Sequence, residues 1–176
     1  MTIHSEHPFA TPDSERDQAR RFRGRLGGTV ALATTSAGSQ RHGLTVSSVM
    51  VATGDPAHVV ALLDPDATFT EALLETRVAV VQLLEWRHRN LADAFAGLFP
   101  APGGVFHLGE WASTPWGPRL VDASAWCGVR LGKGELAQVG WSVLMDGVIE
   151  QVELADETQP LRHRRGRYER PDSQPH

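Results

Sequence analysis

Thr29-Val30-Ala31-Leu32-Ala33-Thr34-Thr35, the turn Ser36-Ala37-Gly38-Ser39, and a second run from Arg41 through Leu44-Thr45-Val46-Ser47-Ser48-Val49-Met50-Val51 decide the class of this fold. Both runs are short, apolar and β-branched, which suits a pleated surface better than a helix. Gly54-Asp55-Pro56 breaks the second run, and His58-Val59-Val60-Ala61-Leu62-Leu63 reads as a third strand. Short turns between such runs make an antiparallel meander. Further along, Val78 to Leu84 is apolar enough to be buried on both faces. Ala123 to Arg130 and Val139 to Leu154 read as later strands, with Gly132 and Gly134 in the turn between them.

Helical signals flank these strands. Asp13-Ser14-Glu15-Arg16-Asp17 opens a helix with Ser14 as N-cap; Ala19, Phe22 and Leu26 share a face, and Gly27-Gly28 ends it. Asp66 or Thr68 caps a second helix through Thr76, with Leu73 and Leu74 turned inward. His88 to Leu98 is the third, because Leu91, Ala94, Phe95 and Leu98 fall at helical spacing. Pro100 to Pro118 reads as a loop rich in Gly, Pro and aromatics, and Pro160 begins a basic tail. The expectation is mainly β: five to seven strands closing or half-closing a barrel, with a few flanking helices. Residues 13–168 form one domain, between a mobile N-terminal tail at 1–12 and a mobile C-terminal tail at 169–176.

Composition narrows the function. With 176 residues, 41% of them hydrophobic and 22% charged, the chain suits one globular domain. A net charge of −4 argues against a general nucleic-acid binder. No run approaches the ~20 apolar residues of a membrane span, and the start lacks the basic and apolar regions of a signal peptide. The expected location is therefore cytoplasmic, with neither nucleic acid nor membrane as partner. Cys127 is the one cysteine, read as a small buried hydrophobe.

Several chemistries have no motif here. There is no GxGxxG after a first strand, no GxxxxGK[ST] loop and no GxSxG elbow. His42, His58, His88 and His107 are scattered, so no metal site is expected. Gly43-Leu44-Thr45-Val46-Ser47-Ser48-Val49 is the informative stretch. Three hydroxyls and their backbone N–H groups could hold a phosphate or the polar edge of a flavin. Equally, Thr and Ser could line a strand face that meets water.

The order of segments resembles the flavin-reductase-like family of FMN-binding split-barrel proteins. The resemblance runs from Phe22-Arg23 through Gly28 to Thr35, Gly43-Leu44-Thr45-Val46-Ser47-Ser48, Asp55-Pro56 and Thr68. It continues through Leu91-Ala92-Asp93-Ala94-Phe95-Ala96-Gly97, Pro118-Arg119-Leu120, Pro160-Leu161 and Arg165-Gly166-Arg167-Tyr168. It implies a Greek-key split β-barrel homodimer that binds FMN, or alternatively FAD, without a covalent bond. NADH or NADPH would be the co-substrate, and a monooxygenase a possible partner. By the same resemblance Thr45, Val46, Ser47 and Ser48 meet the flavin ring edge or its phosphate arm. Asp64 and Thr68 make polar contacts to phosphate or ribityl, Phe95 and Gly97 end the helix bordering the cofactor, and Arg167 and Tyr168 belong to a tail near the site.

One departure bears on catalysis. Where many such reductases carry Gly-Asp-His, this chain has Gly140-Trp141-Ser142, so Ser142 stands at the histidine position beside the nicotinamide. Hydride transfer from nicotinamide to flavin needs stacked rings and excluded water more than a general acid or base. The expected function is an NAD(P)H:flavin reductase or the reductase component of a two-component monooxygenase. The alternatives are an FMN-binding protein without fast turnover and a cofactor-free interaction domain on the same barrel. Among the five tryptophans, core packing or dimer contact is expected for most. The run Arg162-His163-Arg164-Arg165-Gly166-Arg167 reads as a solvated tail, as a lid over a flavin phosphate or the 2′-phosphate of NADPH, or as a nucleic-acid or membrane tail.

Overall fold

A computed structural model describes residues 17–156 and 159–171. Helix α1 spans Gln18–Leu26 and leads into β1 (Gly28–Thr29), β2 (Ala31–Ala37), β3 (Gln40–Val46), β4 (Val49–Ala52) and β5 (His58–Leu63). Helix α2 (Thr68–Thr76) precedes β6 (Val78–Leu83), and a 3₁₀ turn at Trp86–His88 runs into α3 (Arg89–Phe95). After a 3₁₀ turn at Val105–Leu108 come β7 (Trp111–Thr114), β8 (Gly117–Leu120), β9 (Ala125–Leu131), β10 (Ala137–Val139) and β11 (Ser142–Leu154). The last strands are β12 (Arg162–Arg164) and β13 (Arg167–Glu169).

The main sheet is antiparallel, in the order β3-β2-β6-β9-β11-β5-β4, with β10 pairing β11. Consecutive strands β3 and β4 therefore lie at opposite ends of the sheet, joined only by Ser47-Ser48. A two-residue link cannot cross a flat sheet of seven strands spaced ~4.8 Å apart. The sheet must curl until its ends approach, giving a half-barrel. The one strand expected from Arg41 to Val51 is thus two, broken where the chain passes from one end of the sheet to the other.

Strand β2 shows how the core is built. Ala31 and Ala33 point into the barrel among Val46, Leu63, Phe69 and Met145. Val30 and Leu32 belong to a second cluster with Leu91, Phe95, Leu120 and Leu161. Alternate residues thus enter two cores, so the strand is buried on both sides. Helix α2 plugs the barrel with Phe69, whose full burial contributes roughly 1.5–3 kcal/mol.

Several local expectations are corrected. Asp17, not Ser14, caps α1 by accepting from Arg20 N at 2.8 Å; Ser14 and the rest of 1–16 lie outside the described residues. The apolar face of α1 is not buried, since Phe22 is 66% and Leu26 69% exposed. Ala67 caps α2 without a side-chain bond, so neither Asp66 nor Thr68 does, and Leu74 points outward while Leu73 is buried. Helix α3 stops at Phe95, and Gly97 turns left-handed (φ 73°), leaving Leu98 outside. The 100–118 stretch holds the β7–β8 hairpin, in which Trp111 Nε1 donates to Phe106 O. The arginines of the basic run are exposed, but the run is no loose tail: β12 and β13 form a hairpin added to β1. Glu169 closes that hairpin, and residues 172–176 lie outside the described residues. No helix among the described residues is long and apolar enough to cross a membrane.

Candidate functional site

One end of the half-barrel collects polar residues from four segments. Antiparallel pairing sets Val49 opposite Ala61 and Val143 opposite Leu63. One step further along each ladder lie Ser48 beside Leu62, and Ser142 beside Asp64. Ser48 fixes this edge: its Oγ donates to Leu62 O (2.8 Å) and accepts from Leu62 N (3.2 Å). Ser47 is exposed, and its carbonyl lies where a Cβ on Gly28 would come within 2.8 Å. Only glycine fits at 28, which brings β1 against the β3–β4 link. Asp64 is exposed; its Oδ1 accepts from Asp66 N (2.9 Å), while its carbonyl accepts from Thr70 Oγ1 (2.7 Å). This loop sets exposed Thr68 at the first turn of α2, whose early N–H groups have no side-chain cap. Val46 sits beneath this end, in the barrel core.

The other sequence-derived residues gather around α3. Thr45 Oγ1 donates to Ala92 O at 2.7 Å, tying β3 to the helix. Phe95 is buried edge-on against Phe106 (5.0 Å) and Trp111 (5.8 Å). Its ring lies where a Cβ on Gly43 would clash, so β3 passes directly over it. Tyr168 Oη donates to Asp93 Oδ1 at 2.6 Å, docking β13 on the same helix. Burial, followed by the Asp93 hydrogen bond and charge, pushes the phenol well above its usual range. Arg167 is exposed and lines a cleft with Arg164, Arg165, Tyr168 and Glu169. Gly97, with Leu98, ends the helix by donating to carbonyls of α3.

At the departure from Gly-Asp-His, Gly140 turns left-handed (φ 60°) and Trp141 is 76% exposed. Arg20 of α1 covers the indole at 5.0 Å, bringing α1 to the same end as Ser142. No sequence spacing linked residues 20 and 141.

Two further polar groupings were missed. His88 is buried; its Nδ1 accepts from Glu85 N (3.0 Å) and its Nε2 lies 3.1 Å from Asp122 Oδ2. Burial raises the Asp122 carboxyl, but the hydrogen bond and electrostatic attraction from His88, with the Arg87 charge, outweigh it and hold the group low. This cluster ties the 3₁₀ turn to the β8–β9 link. On the barrel's outer face, Trp116 Nε1 and Arg130 Nε both donate to Glu150, each at 2.6 Å. Cys127 is half-buried against the barrel core, and burial pushes its thiol up to about 11, which disfavours the thiolate. No group of three or more potential metal ligands occurs among the described residues.

Known proteins share this architecture. The family described as flavin reductase like domain matches residues 23–172. An FMN reductase (NADH) RutF from Pantoea ananatis is 29% identical over 122 residues, 68% of this chain. That match spans 64%, less than two thirds, of the relative's length. The NADH:FAD oxidoreductase SgcE6 of Streptomyces globisporus, solved with NAD and FAD fragments, superposes with a TM-score of 0.78. It is 22% identical, and the match covers 93% of this chain and 98% of that one. Nitrilotriacetate monooxygenase component B from Mycobacterium thermoresistibile gives 0.76 at 19% identity, over 86% and 83%. At such identities these two structures speak for the fold alone, whereas the family match takes in β1–β13, both polar clusters and the arginine hairpin: the chain belongs to the flavin-reductase-like family.

Proposed function

We propose that this protein is an NAD(P)H-dependent flavin reductase that binds FMN at the polar end of its half-barrel. The observation that carries the reading is the convergence of Ser47, Ser48, Asp64, Thr68 and Ser142, from four segments, at one end. Their chemistry fits a flavin mononucleotide. Hydroxyls and strand-end N–H groups suit the polar edge of the ring. The uncapped start of α2 suits a phosphate, and the Asp64 carboxylate is an acceptor for ribityl hydroxyls. The FMN reductase relative supports FMN, while the FAD named for SgcE6 keeps FAD as the alternative.

When bound, the flavin would supply a ring that accepts a hydride from nicotinamide. The chain's own work is positional. Ser48 holds the β4 edge on β5, and Thr45 with Tyr168 holds α3 and the last hairpin as a wall. Phe95 and Gly97 fix the end of that wall, and Val46 floors the end of the barrel. Arg167 lines a cleft of the last hairpin with Arg164 and Arg165, a cation available to phosphate.

A homodimer completes the reading. Edge strand β4 leaves Met50 70% and Val51 59% exposed, an apolar edge that a second copy would cover. The monooxygenase component among the structural neighbours supports delivery of reduced flavin to a partner oxygenase.

Ser142 and exposed Trp141 favour a second reading, an FMN-binding protein without fast turnover. Absorbance of the protein titrated with FMN, then given NADH or NADPH without oxygen, separates the two. Rapid bleaching of the flavin band is the expected result. Binding without bleaching would establish the second reading, and failure to bind FMN or FAD would leave an interaction domain. If the lost histidine limits turnover, Ser142→His raises the bleaching rate; no gain removes that position from the argument.

A further inference from the structure

Nine of the 17 lysines and arginines of this chain, whose net charge is −4, lie in two short stretches. Four are on α1 (Arg20, Arg21, Arg23, Arg25), and residues 162–170 carry five. The fold joins the stretches. Arg165 N donates to Gly24 O (2.8 Å), and Arg164 Nε reaches Arg25 O (3.4 Å). In the hairpin register Arg164 stands directly opposite Arg167, so both side chains leave the same face. Like charges in that position destabilise a hairpin. The acidic residues described on these elements are Asp17 and Glu169, which pair with Arg20 (3.6 Å) and Arg162 (3.7 Å). Among the described residues, Arg164, Arg165 and Arg167 have no carboxylate within ion-pair distance. These three, with Tyr168 and Glu169, line one cleft.

We infer that this cleft binds a phosphate monoester, the 2′-phosphate on the adenosine of NADPH. Three uncompensated guanidinium groups match the near −2 charge and three acceptor oxygens of a monoester. A dinucleotide's bridging phosphates carry one charge each and need less. Position agrees: β12 pairs with β1 through Gly28 and His163, and Gly28 abuts the Ser47 carbonyl. The cleft is thus joined through β1 to the polar end, so a dinucleotide seated in it would extend its nicotinamide toward the flavin. The relative named above is an FMN reductase (NADH), so a preference for NADPH would set this chain apart from it. Its use in turnover rests on the flavin-reductase reading; phosphate binding does not.

The test is calorimetric titration with NADP⁺ and NAD⁺, which differ only in the 2′-phosphate, beside kcat/KM for NADPH and NADH. The wild type is expected to bind NADP⁺ at least tenfold more tightly than NAD⁺ and to favour NADPH by a similar ratio. Arg164→Ser with Arg165→Ser, the two cleft arginines with no part in the flavin site, should erase both ratios, leaving NADH turnover within twofold. Arg170→Ser, exposed in the same stretch but outside the cleft lining, should change either ratio by less than twofold. Equal binding of the two nucleotides, a preference that survives the double variant, or an Arg170→Ser loss as large as the double variant's would overturn the site. An NADP⁺ binding preference without turnover of either reduced dinucleotide would keep the site and sink the reductase reading.

Discussion

Thr45 and Ser47 stand two residues apart on one stretch of chain, yet they belong to different regions. Thr45 lies in the α3 wall, where its hydroxyl is committed to Ala92 O at 2.7 Å. Ser47 lies at the open strand end, exposed beside Asp64, Thr68 and Ser142. The wall is dense: Phe95 under Gly43, Tyr168 on Asp93, Leu161 and Leu32 behind. The strand end is sparse and wet. The same residue types therefore do different work, and what separates them is whether a hydroxyl's partner lies within the fold. The wall should respond to mutation mainly in stability, and the strand end mainly in binding.

Phe95→Ala tests the wall most severely. Removing a buried ring from the Phe106–Trp111 cluster should cost about 3–5 kcal/mol, read by denaturant unfolding. A loss under about 1 kcal/mol would mean that the wall is not densely packed. Tyr168→Phe comes next. It removes a donor to a carboxylate in a half-buried pair, and about 1–2 kcal/mol should go. It also carries a pH signature. The folded phenol is raised above its unfolded value of about 10, so its contribution is complete below that pH and fades as pH climbs above it. The wild type should lose stability above about pH 10, and Tyr168→Phe should flatten that slope.

Much of this contrast was hidden in the sequence. Periodicity found β2, β5, β6 and α2 because their apolar spacing reports burial directly. The break at Ser47-Ser48 left no local signal: a barrel's closure, not the residues there, splits the strand. Helix spacing placed Phe95 on α3 but could not say that its ring faces Gly43 rather than a cofactor. Arg20 over Trp141, and Arg164 facing Arg167, arise from tertiary packing and hairpin register. The basic run read as a tail because charge is usually solvated, and nothing local shows that β1 offers an edge to pair with. At the strand end, by contrast, it was the family resemblance, not a local signal, that named Ser47, Ser48, Asp64 and Thr68; short links and strand register bring them to one end of the half-barrel.

Thr45→Val sharpens the comparison on the wall side. The change keeps the shape, removes the donor and leaves Ala92 O with its helical partner, Ala96 N (2.9 Å). The expected cost is about 1 kcal/mol of stability. FMN affinity should stay within twofold, since the hydroxyl is turned to the helix. A tenfold loss of FMN binding without a stability change would move Thr45 to the strand end.

Ser47→Ala should have the smallest effect on stability and the opposite signature. Its side chain is exposed and no bond within the described residues engages it, so unfolding should shift by less than about 0.5 kcal/mol. A flavin held at the strand end would lose one hydroxyl contact. One hydrogen bond is worth about 0.5–1.5 kcal/mol, so FMN affinity should fall by roughly two- to twelvefold. Riboflavin, which lacks the phosphate, separates the two roles open to this hydroxyl. If Ser47 meets the ring or ribityl chain, riboflavin loses the same factor. If it meets the phosphate, riboflavin binding is untouched and only FMN weakens. Should neither ligand notice the change, the flavin does not reach the β3–β4 link, and the strand end closes the barrel without serving as a site.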